Sequence, residues 1–334
     1  MTDKQIIACK LPGDLFSSPE NMEKEFTELA QRWHPDKMGG NSIVMAHVNS
    51  LHAQGREMVA SGNWKSSNKR FFTLSNGRTV RISFLSENDF ELGKWYLCES
   101  VCVYAFNTGS AINFKLPKFR FRNTSMTDEF TAYLPRIIDQ YEVNNGKKLI
   151  VINREKDLVL LRDLLAWFGN AVPPKHVAWI LSSLYNLCAF FKYNGIVHHS
   201  INLNTYFISP AKHKGVLLGG WWYHKGFDRR MKVVPKSTYD VMTLDTKKSK
   251  KATPITDLEC VKLIGRQLLG SASGSTLYSN PDIPKPMIQF LRTISSENAY
   301  KEYEAWTNVL QESFGPKKFI EMDCNADEIY KKPS

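Results

Sequence analysis

The sequence lacks a long hydrophobic run, because no stretch approaches the roughly 18 apolar residues of a membrane span. Residues 1–16 also lack a continuous apolar segment followed by a small-residue cleavage site, so no secretory leader is expected. None of the six cysteines forms a Cys-x-x-Cys pair, which disfavours structural zinc and favours buried, reduced thiols. These absences predict a cytoplasmic protein that binds neither membrane nor metal.

Two hydrolase motifs are missing as well. The chain has no Gly-x-Ser-x-Gly elbow and no His-Glu-x-x-His pair. It does have size and apolar content: its 334 residues, 43% hydrophobic and 12% aromatic, can bury a substantial core. We therefore expect a folded chain of two domains, one small and one large.

The net charge of +11 is unevenly distributed. Residues 1–62 contain six Lys/Arg and eight Asp/Glu, so the remaining 272 residues carry +13. The basic residues concentrate in three runs: Lys115, Lys118, Arg120 and Arg122; Arg229, Arg230, Lys232 and Lys236; Lys247, Lys248, Lys250 and Lys251. This charge favours nucleic acid or an acidic protein face as partner, although ordinary solubility charge has the same signature.

The most informative segment is His34-Pro35-Asp36-Lys37, because a predicted helix stands on either side of it. Residues 23–33 have amphipathic helical spacing, and Pro35 with the following 38–41 (MGGN) predicts a turn. Residues 42–60 predict a second helix. The expected inward-facing residues are Phe26, Leu29 and Trp33 in the first helix and Met45, Val48, Leu51, Met58 and Val59 in the second. Two antiparallel helices should therefore display a His-Pro-Asp loop.

This pattern resembles the J-domain of DnaJ-type co-chaperones, including Trp33 before the motif and Asn49 in the second helix. The resemblance implies a small all-α domain over 1–62 that binds a DnaK-type heat-shock chaperone and stimulates its ATP hydrolysis. The residues expected to bind the chaperone are His34, Pro35, Asp36, Lys37, Arg32 and Lys24. Residues 5–16 contain Pro12 and Gly13, so the first helix of the domain should be abbreviated. In a simpler interpretation, the motif only caps a helical hairpin.

The rest of the chain predicts a strand-rich segment followed by a helical one. Residues 63–70 should be a linker. Hairpins are expected over 71–85, around Asn76-Gly77, and over 101–116, around residues 107–109. A helix over 127–141 and a strand over 148–153 follow. Further helices are expected over 160–168, 174–194, 256–269, 284–294 and 298–313. This is an α+β arrangement with a β-rich lobe (71–158), a helical lobe (159–325) and a tail (326–334).

Several segments of this part resemble a protein kinase, which implies a bilobal fold with a cleft between the lobes. After the helix over 174–194, residues 195–208 stand where kinases have their catalytic loop, and His198 keeps its first position. Asp257 matches the aspartate that opens the long helix of the larger lobe and braces that loop. Lys115 and Glu129 fit the strand lysine and its helix partner, a remnant of a nucleotide-binding pair.

The catalytic positions depart from the kinase pattern. Ser200 replaces the catalytic aspartate, Thr205 the metal-binding asparagine, and Gly219 the aspartate of Asp-Phe-Gly. Phosphoryl transfer needs a carboxylate near the acceptor hydroxyl and oxygen ligands for magnesium. The predicted loop over 84–101 also has one glycine, Gly93, where kinases place several. The resemblance therefore implies a pseudokinase without catalytic residues or a required cofactor, although Lys115 leaves ATP binding open.

Together these features predict a co-chaperone adaptor whose kinase-like domain binds a client protein. A J-domain fused to a degenerate kinase is similar to proteins of large bacteriophages, which would place it in the host cytoplasm. One alternative is a phosphotransferase or ATP-binding protein with atypical residues. Another is a nucleic-acid-binding protein that uses the basic part of the chain. In that case residues 221–223 (WWY) would stack on bases while Lys225, Arg229 and Arg230 meet phosphates. Packing inside the helical lobe is the simpler role for those three aromatic residues.

Overall fold

The computed structural model of the protein describes residues 1–37, 39–61, 64, 68–107, 114–144 and 146–330. The chain is mixed α+β, as predicted, and forms two compact units. The first comprises residues 1–110 and 137–151, and the second comprises residues 111–136 and 152–334. The helical hairpin and the strand-rich segment thus share one compact unit, and the divisions predicted at residues 62 and 158 do not coincide with the units.

The first unit begins with helices that form their own apolar core. They are α1 (Asp3–Ile7), α2 (Pro12–Leu15), α3 (Met22–Trp33) and α4 (Ser42–Ala60). Helices α3 and α4 confirm the predicted hairpin, and the short α1 and α2 agree with an abbreviated first helix. The buried core residues are Ile6, Cys9, Leu15, Phe16, Met22, Val44, Met45, Val48 and Leu51. Val59 was wrongly expected to face inward, since it is 43% exposed beyond the part of α4 that packs on α3.

The first unit continues into β-structure. Its strands are β1 (Lys69–Thr73), β2 (Thr79–Ser83), β3 (Ser86–Phe90), β4 (Gly93–Leu97), β5 (Val101–Phe106), β6 (Ile137–Val143) and β7 (Lys147–Asn153). Strands β1 and β2 form the predicted hairpin, in which Gly77 has φ +81°. The other five form a sheet in the order β3-β4-β5-β7-β6, and β7 confirms the predicted buried strand.

Three predictions for this region were wrong or fall outside the described residues. Residues 84–101 contain the β3–β4 hairpin rather than a loop, and Gly93 lies where a Cβ would come within 2.1 Å of the Ala105 carbonyl oxygen. The helix expected over 127–141 is only α5 (Thr124–Thr131), because Pro135 cannot continue a helix and β6 follows it. For the second hairpin, residues 108–113 lie outside the described part, and 114–116 are not a strand.

Polar contacts join the helices of the first unit to its β-structure. The Gln5 side-chain amide donates to the Thr79 hydroxyl at 2.9 Å, and Nη1 of Arg70 donates to the Gly13 carbonyl at 3.0 Å. Arg70 also pairs with Glu87 at 2.9 Å. Residues 69 and 70 of the expected linker thus belong to β1, and Arg70 holds the helical core against the strands.

The second unit is mainly helical. Besides α5 its helices are α6 (Leu161–Trp167), α7 (Pro174–Asn194), α8 (Lys236–Val241), α9 (Leu244–Ser249), α10 (Pro254–Leu268), α11 (Lys285–Arg292), α12 (Ala299–Phe314) and α13 (Ala326–Tyr330). Its short strands are β8 (Val159–Leu160), β9 (Ile196–Val197), β10 (Tyr206–Ser209), β11 (Lys214–Leu217) and β12 (Lys225–Gly226). All five helices predicted after residue 159 are confirmed. The predicted tail begins with α13, and its Tyr330 hydroxyl accepts a hydrogen bond from the Leu160 N–H at 2.9 Å.

Helix α7 is the central element of the second unit. Twelve of its residues are buried, and it packs against α10 and α12. Gly195 ends it in a left-handed conformation, with φ +69°, which a glycine adopts without strain. The chain then enters β9, and the segment that follows β9 is the one expected to resemble a catalytic loop.

All six cysteines are buried, as predicted. Within the described residues, no helix has both the length and the apolar composition that crossing a membrane requires.

A buried ion pair joins α10 to α12. Nζ of Lys262 lies 2.8 Å from a carboxylate oxygen of Glu302, and their side chains are 2% and 6% exposed. Lys262 also donates to the Thr293 carbonyl at 2.9 Å, and Glu302 accepts from the Ser296 N–H at 2.8 Å. These bonds offset part of the desolvation of both charges.

We predict that Lys262→Met lowers the free energy of unfolding by about 3–5 kcal/mol, because Glu302 stays buried without its cation. Adding Glu302→Leu should recover much of that loss. In the exposed pair Lys236–Asp240, Lys236→Met should cost no more than about 1 kcal/mol. Urea denaturation of the four proteins measures these differences, and equal losses for the Lys262 and Lys236 variants would contradict the role of burial.

Candidate functional site

The two segments singled out by the sequence lie in different compact units. The loop 34–37 connects α3 to α4 in the first unit, and the loop 198–205 connects β9 to β10 in the second. We describe each within its own unit, beginning with the first.

Backbone hydrogen bonds hold the His34-Pro35-Asp36 loop in a compact turn. The Lys37 N–H donates to the His34 carbonyl at 2.9 Å, and the Asn41 N–H donates to the Trp33 carbonyl at 3.1 Å across the base of the loop. The Asn41 side chain then caps α4 by accepting from the N–H groups of Ile43 and Val44. The loop is thus closed at its base before the second helix begins.

Gly40 is required for this closure. A Cβ at this position would lie 1.9 Å from the His34 carbonyl oxygen, which is far inside contact distance. The small residue lets the backbone return close to the start of the motif. The expected turn over 38–41 is therefore present at its described residues, while Met38 lies outside them.

The side chains of the motif point into solvent. Those of His34 and Asp36 are 51% and 87% exposed, and His34 Nδ1 lies 3.5 Å from a carboxylate oxygen of Asp36. Nδ1 of His34 also accepts from the Asp36 N–H at 3.3 Å, which orders the ring over the turn. A polar pair that is exposed and held by its own backbone is available to a protein partner.

The expected cations lie on the same hairpin and are exposed. Lys24 and Arg32 belong to α3, and Lys37 belongs to the loop. The Arg32 guanidinium lies 5.3 Å from the centroid of the Trp33 ring, which orients it at the end of α3 beside the motif.

Two of the acidic residues on α3 are engaged within the unit. One Glu23 oxygen lies 3.1 Å from Nε2 of His52 and 3.9 Å from Nε of Arg56. The Glu25 carboxylate accepts from the Ser17 N–H at 2.7 Å and from its hydroxyl at 2.5 Å. These contacts fix the two carboxylates on α3, while Glu28 on the same helix is exposed.

In the second unit, the Asp257 carboxylate holds the loop that follows β9. Its two oxygens accept from the N–H groups of His198 at 2.7 Å and His199 at 2.8 Å. Asp257 is 3% exposed in the first turn of α10. This is the bracing contact that the sequence predicted for Asp257.

Burial shifts the titration of these groups. It raises the pKa of Asp257 to about 7, and the hydrogen bonds from the two histidine N–H groups oppose that rise. Burial lowers the pKa of His198 well below its usual value, and lowers that of His199 to about 4. Since Nδ1 of His199 lies 3.2 Å from the Tyr223 carbonyl, it carries the proton of a neutral ring. Both histidines are therefore internal supports of the loop.

Ser200 and Thr205, two residues that the sequence analysis compared with kinase catalytic positions, are buried and bonded to each other. The Thr205 hydroxyl donates to the Ser200 carbonyl at 2.6 Å and accepts from the Asn202 N–H at 3.0 Å. Ser200 is 2% exposed and Thr205 is 7% exposed. The Thr205 hydroxyl, which occupies the expected metal-ligand position, thus closes the loop on itself.

The third residue compared with a kinase catalytic position lies beside the same loop. The N–H of Gly219 donates to the Thr205 carbonyl at 3.2 Å. At the next residue, Gly220, φ is +82° and a Cβ would lie 2.6 Å from the Ser200 side chain. The chain therefore packs backbone against the loop where a kinase would place the side chains of Asp-Phe-Gly.

The predicted nucleotide-binding remnant is not assembled. Lys115 is exposed and lies outside any strand, while Glu129 on α5 accepts from the Asn186 side chain at 2.9 Å. In the described part of the chain, no ion pair joins Lys115 to Glu129, and no group of three His, Cys, Asp or Glu side chains is placed to hold a metal. The expected pair was wrong because residues 114–116 do not form the strand that would orient the lysine.

Two of the three residues 221–223 belong to the interior, and Trp222 is half-buried. Trp221 is fully buried and Tyr223 is 4% exposed, and the indole N–H of Trp221 donates to the Leu217 carbonyl at 2.8 Å. These two rings cannot stack on bases, so the simpler interpretation of this segment is confirmed for them.

Sequence reasoning missed one support of the loop. The Thr238 hydroxyl, fully buried on α8, donates to the His199 carbonyl at 2.8 Å. Helix α8 is only six residues long and includes lysine, threonine and aspartate. It therefore has no apolar residues at helical spacing by which the sequence could predict it. Only the path of the folded chain brings Thr238 to the histidine.

No protein-family model matches this chain, and no curated protein matches it.

We predict that Asp257→Asn lowers the free energy of unfolding by about 1–3 kcal/mol, because an amide can accept only one of the two N–H bonds. Asp282→Asn, at an exposed position, should change stability by less than about 0.5 kcal/mol. Urea denaturation at neutral pH compares the two. If both variants match the wild type, the brace contributes nothing to stability.

Stability should also depend on pH through His199. Its folded pKa of about 4 lies below the ordinary value of 6.5, so the stabilisation is present above pH 6.5 and is lost as the pH falls towards 4. Asp257 acts in the opposite sense, because its stabilisation is present below its ordinary pKa of 3.8 and is lost as the pH rises towards 7.

A variant that lacks the His199 ring separates the contribution of His199 from that of Asp257. At neutral pH the wild type should have a higher free energy of unfolding than His199→Gln. This difference between the two proteins should shrink by up to about 3 kcal/mol when the pH is lowered to 4.

The control is His34→Gln, which changes an exposed imidazole. Its stability should follow the wild-type curve across the same pH range. A His199→Gln curve parallel to wild type would show that the ring is not held neutral.

Proposed function

We propose that this protein is a co-chaperone adaptor that recruits a DnaK-type heat-shock chaperone through its His34-Pro35-Asp36 loop. The proposal extends to the second unit, whose kinase-like part would bind the protein that the chaperone acts on. ATP hydrolysis would then take place in the chaperone rather than in this chain.

The observation that carries the proposal is the exposed motif at the tip of a packed helical hairpin. The two helices share a buried apolar core, and backbone hydrogen bonds close the loop at its base. Little conformational freedom is therefore lost when the loop meets a partner, which favours binding. A motif that served only to cap a helix would not need side chains that are 51% and 87% exposed.

The charges around the loop support an acidic partner face. Lys24, Arg32 and Lys37 are exposed cations on the hairpin, and they share it with the exposed carboxylates Glu23 and Glu28. Such complementarity contributes more to the association rate and to specificity than to affinity. We therefore expect salt to weaken recruitment.

The loop 198–205 supports a binding role for the second unit. A catalytic base must reach the hydroxyl that it deprotonates, and Ser200 is 2% exposed and is not a base near neutral pH. The Thr205 hydroxyl is committed to the Ser200 carbonyl and the Asn202 N–H, and Gly219 has no side chain to hold magnesium. The side chains of this loop thus support its own conformation and offer neither a base nor a metal ligand for phosphoryl transfer.

The ATPase activity of DnaK-type chaperones tests the proposal. Wild-type protein should accelerate steady-state hydrolysis by the chaperone, and Asp36→Asn should abolish the acceleration because it removes the exposed carboxylate of the motif. Glu28→Gln makes the same charge change on an exposed part of α3 and should preserve the effect. Each chaperone of the host is assayed with the three proteins.

Absence of acceleration by the wild type with every chaperone of the host would overturn the proposal. Equal acceleration by the wild type and Asp36→Asn would show that the motif is not the contact. Circular dichroism of Asp36→Asn should match the wild type, since the side chain is 87% exposed.

A further inference from the structure

Basic and aromatic side chains surround the C-terminal end of α7 in the second unit. We call the group Arg120, Lys192, Tyr193, Arg229 and Tyr300 the basic aromatic patch. Tyr193 is 37% exposed and Tyr300 is 48% exposed, so both rings are accessible to a partner.

Direct contacts join Arg120 to Tyr193 and Lys192 to Tyr300. Nη2 of Arg120 donates to the Tyr193 carbonyl at 3.2 Å, and its guanidinium carbon lies 5.9 Å from the centroid of the Tyr193 ring. Nζ of Lys192 lies 6.0 Å from the ring centroids of both Phe227 and Tyr300. Two cation–ring pairs thus lie at adjacent positions of α7, residues 192 and 193, and each includes a residue distant in sequence.

The segment that carries Arg229 is anchored to the same end of α7. The Phe227 N–H donates to the Gly195 carbonyl at 3.0 Å, and β12 pairs with β9 directly after that glycine. Arg229 follows two residues later and is exposed. The basic run that contains Arg229 and Arg230 is thereby brought to the same end of α7 as the run that contains Arg120.

The cations of the patch are not neutralised by neighbours. Across the described ranges, no ion pair engages Arg120, Lys192 or Arg229. Lys192 near the C-terminus of α7 would stabilise that helix end by itself, but this role explains neither the exposed rings nor Arg229. The chain beyond residue 62 has an excess of +13, so the patch lies in a positive field.

We propose that the basic aromatic patch binds single-stranded nucleic acid. Proteins that bind single strands without sequence preference combine cations for the phosphates with aromatic rings on which bases stack. Tyr193 and Tyr300 supply the rings, and Arg120, Lys192 and Arg229 supply the cations. An acidic peptide would use the charges but would leave both tyrosines without a matching group, so the rings favour nucleic acid.

This activity is separate from chaperone recruitment, because all five residues lie in the second unit and the His-Pro-Asp loop lies in the first. Asp36→Asn should therefore retain full nucleic-acid binding. Failure of either proposal leaves the other intact.

The test is fluorescence anisotropy of the full chain with a labelled oligothymidine of about 20 nucleotides. Tyr300→Ala and Tyr193→Ala should each weaken binding by about fivefold or more, whereas Tyr193→Phe and Tyr300→Phe keep a ring and should bind as the wild type. Arg120→Gln should reduce the slope of log affinity against log salt by about 0.7. The phenylalanine variants separate stacking from any loss of fold.

The matched control is Tyr278→Ala. Tyr278 is also 48% exposed and lies 5.4 Å from the Arg292 guanidinium carbon, but no contact links it to the patch in the described residues. Its affinity for oligothymidine should stay within about twofold of wild type. An effect as large as that of Tyr300→Ala would overturn the assignment of the site.

Two competitors complete the experiment. Unlabelled oligothymidine should displace the probe, whereas polyglutamate of equal charge should compete much more weakly. If polyglutamate competes equally, the patch recognises acidic protein and the proposal is wrong. No binding of the oligonucleotide at about 50 mM salt, where phosphate contacts are strong, would equally dispose of it.

Discussion

The Asp257 carboxylate, which accepts hydrogen bonds from two consecutive backbone N–H groups, is the contact on which the second unit's loop depends. It joins the first turn of α10 to the chain leaving β9, so it sets where His198 and His199 enter the interior. Thr238 and Tyr223 then complete the bonding of His199. Because Asp257 is buried, leaving these N–H groups unpaired would be costly, and the loop has few other conformations to adopt.

The two loops expected to be functional are stabilised in opposite ways. The loop at His34 to Lys37 is closed by its own backbone and presents its side chains to solvent. The loop from His198 to Thr205 turns His198, His199, Ser200 and Thr205 inward, and the Thr205 hydroxyl bonds a carbonyl and an N–H group of the loop itself. A side chain already committed to internal hydrogen bonds has little left to offer a substrate, which is why we assign recognition to the first loop and scaffolding to the second.

Much of the helical structure could be predicted, because helices are encoded by periodicity, proline and glycine over short distances. Residues 22–33 and 174–194 are examples, bounded by Pro35 and by Gly195. The polar strand β3 and the edge strand β6 were missed or called helix. Their extended form comes from pairing in a sheet with the neighbouring strands β4 and β7. Both segments contain Asp and Glu, which are uncommon in strands, so composition alone gave a weak strand signal. The strand expected at residues 114–116 is not formed either, so sheet pairing does not orient Lys115.

The sequence by itself determined the His-Pro-Asp motif and its two flanking helices, because these depend on residue type at short spacing, whereas the bracing role of Asp257 was expected only from the resemblance to kinases. Only the tertiary structure decided which side chains are accessible. It buried Trp221 and Tyr223 while leaving Tyr193 and Tyr300 exposed, although all four are aromatic residues among basic neighbours. Burial depends on which surfaces meet when the helices pack, and these surfaces are brought together from residues far apart in the chain.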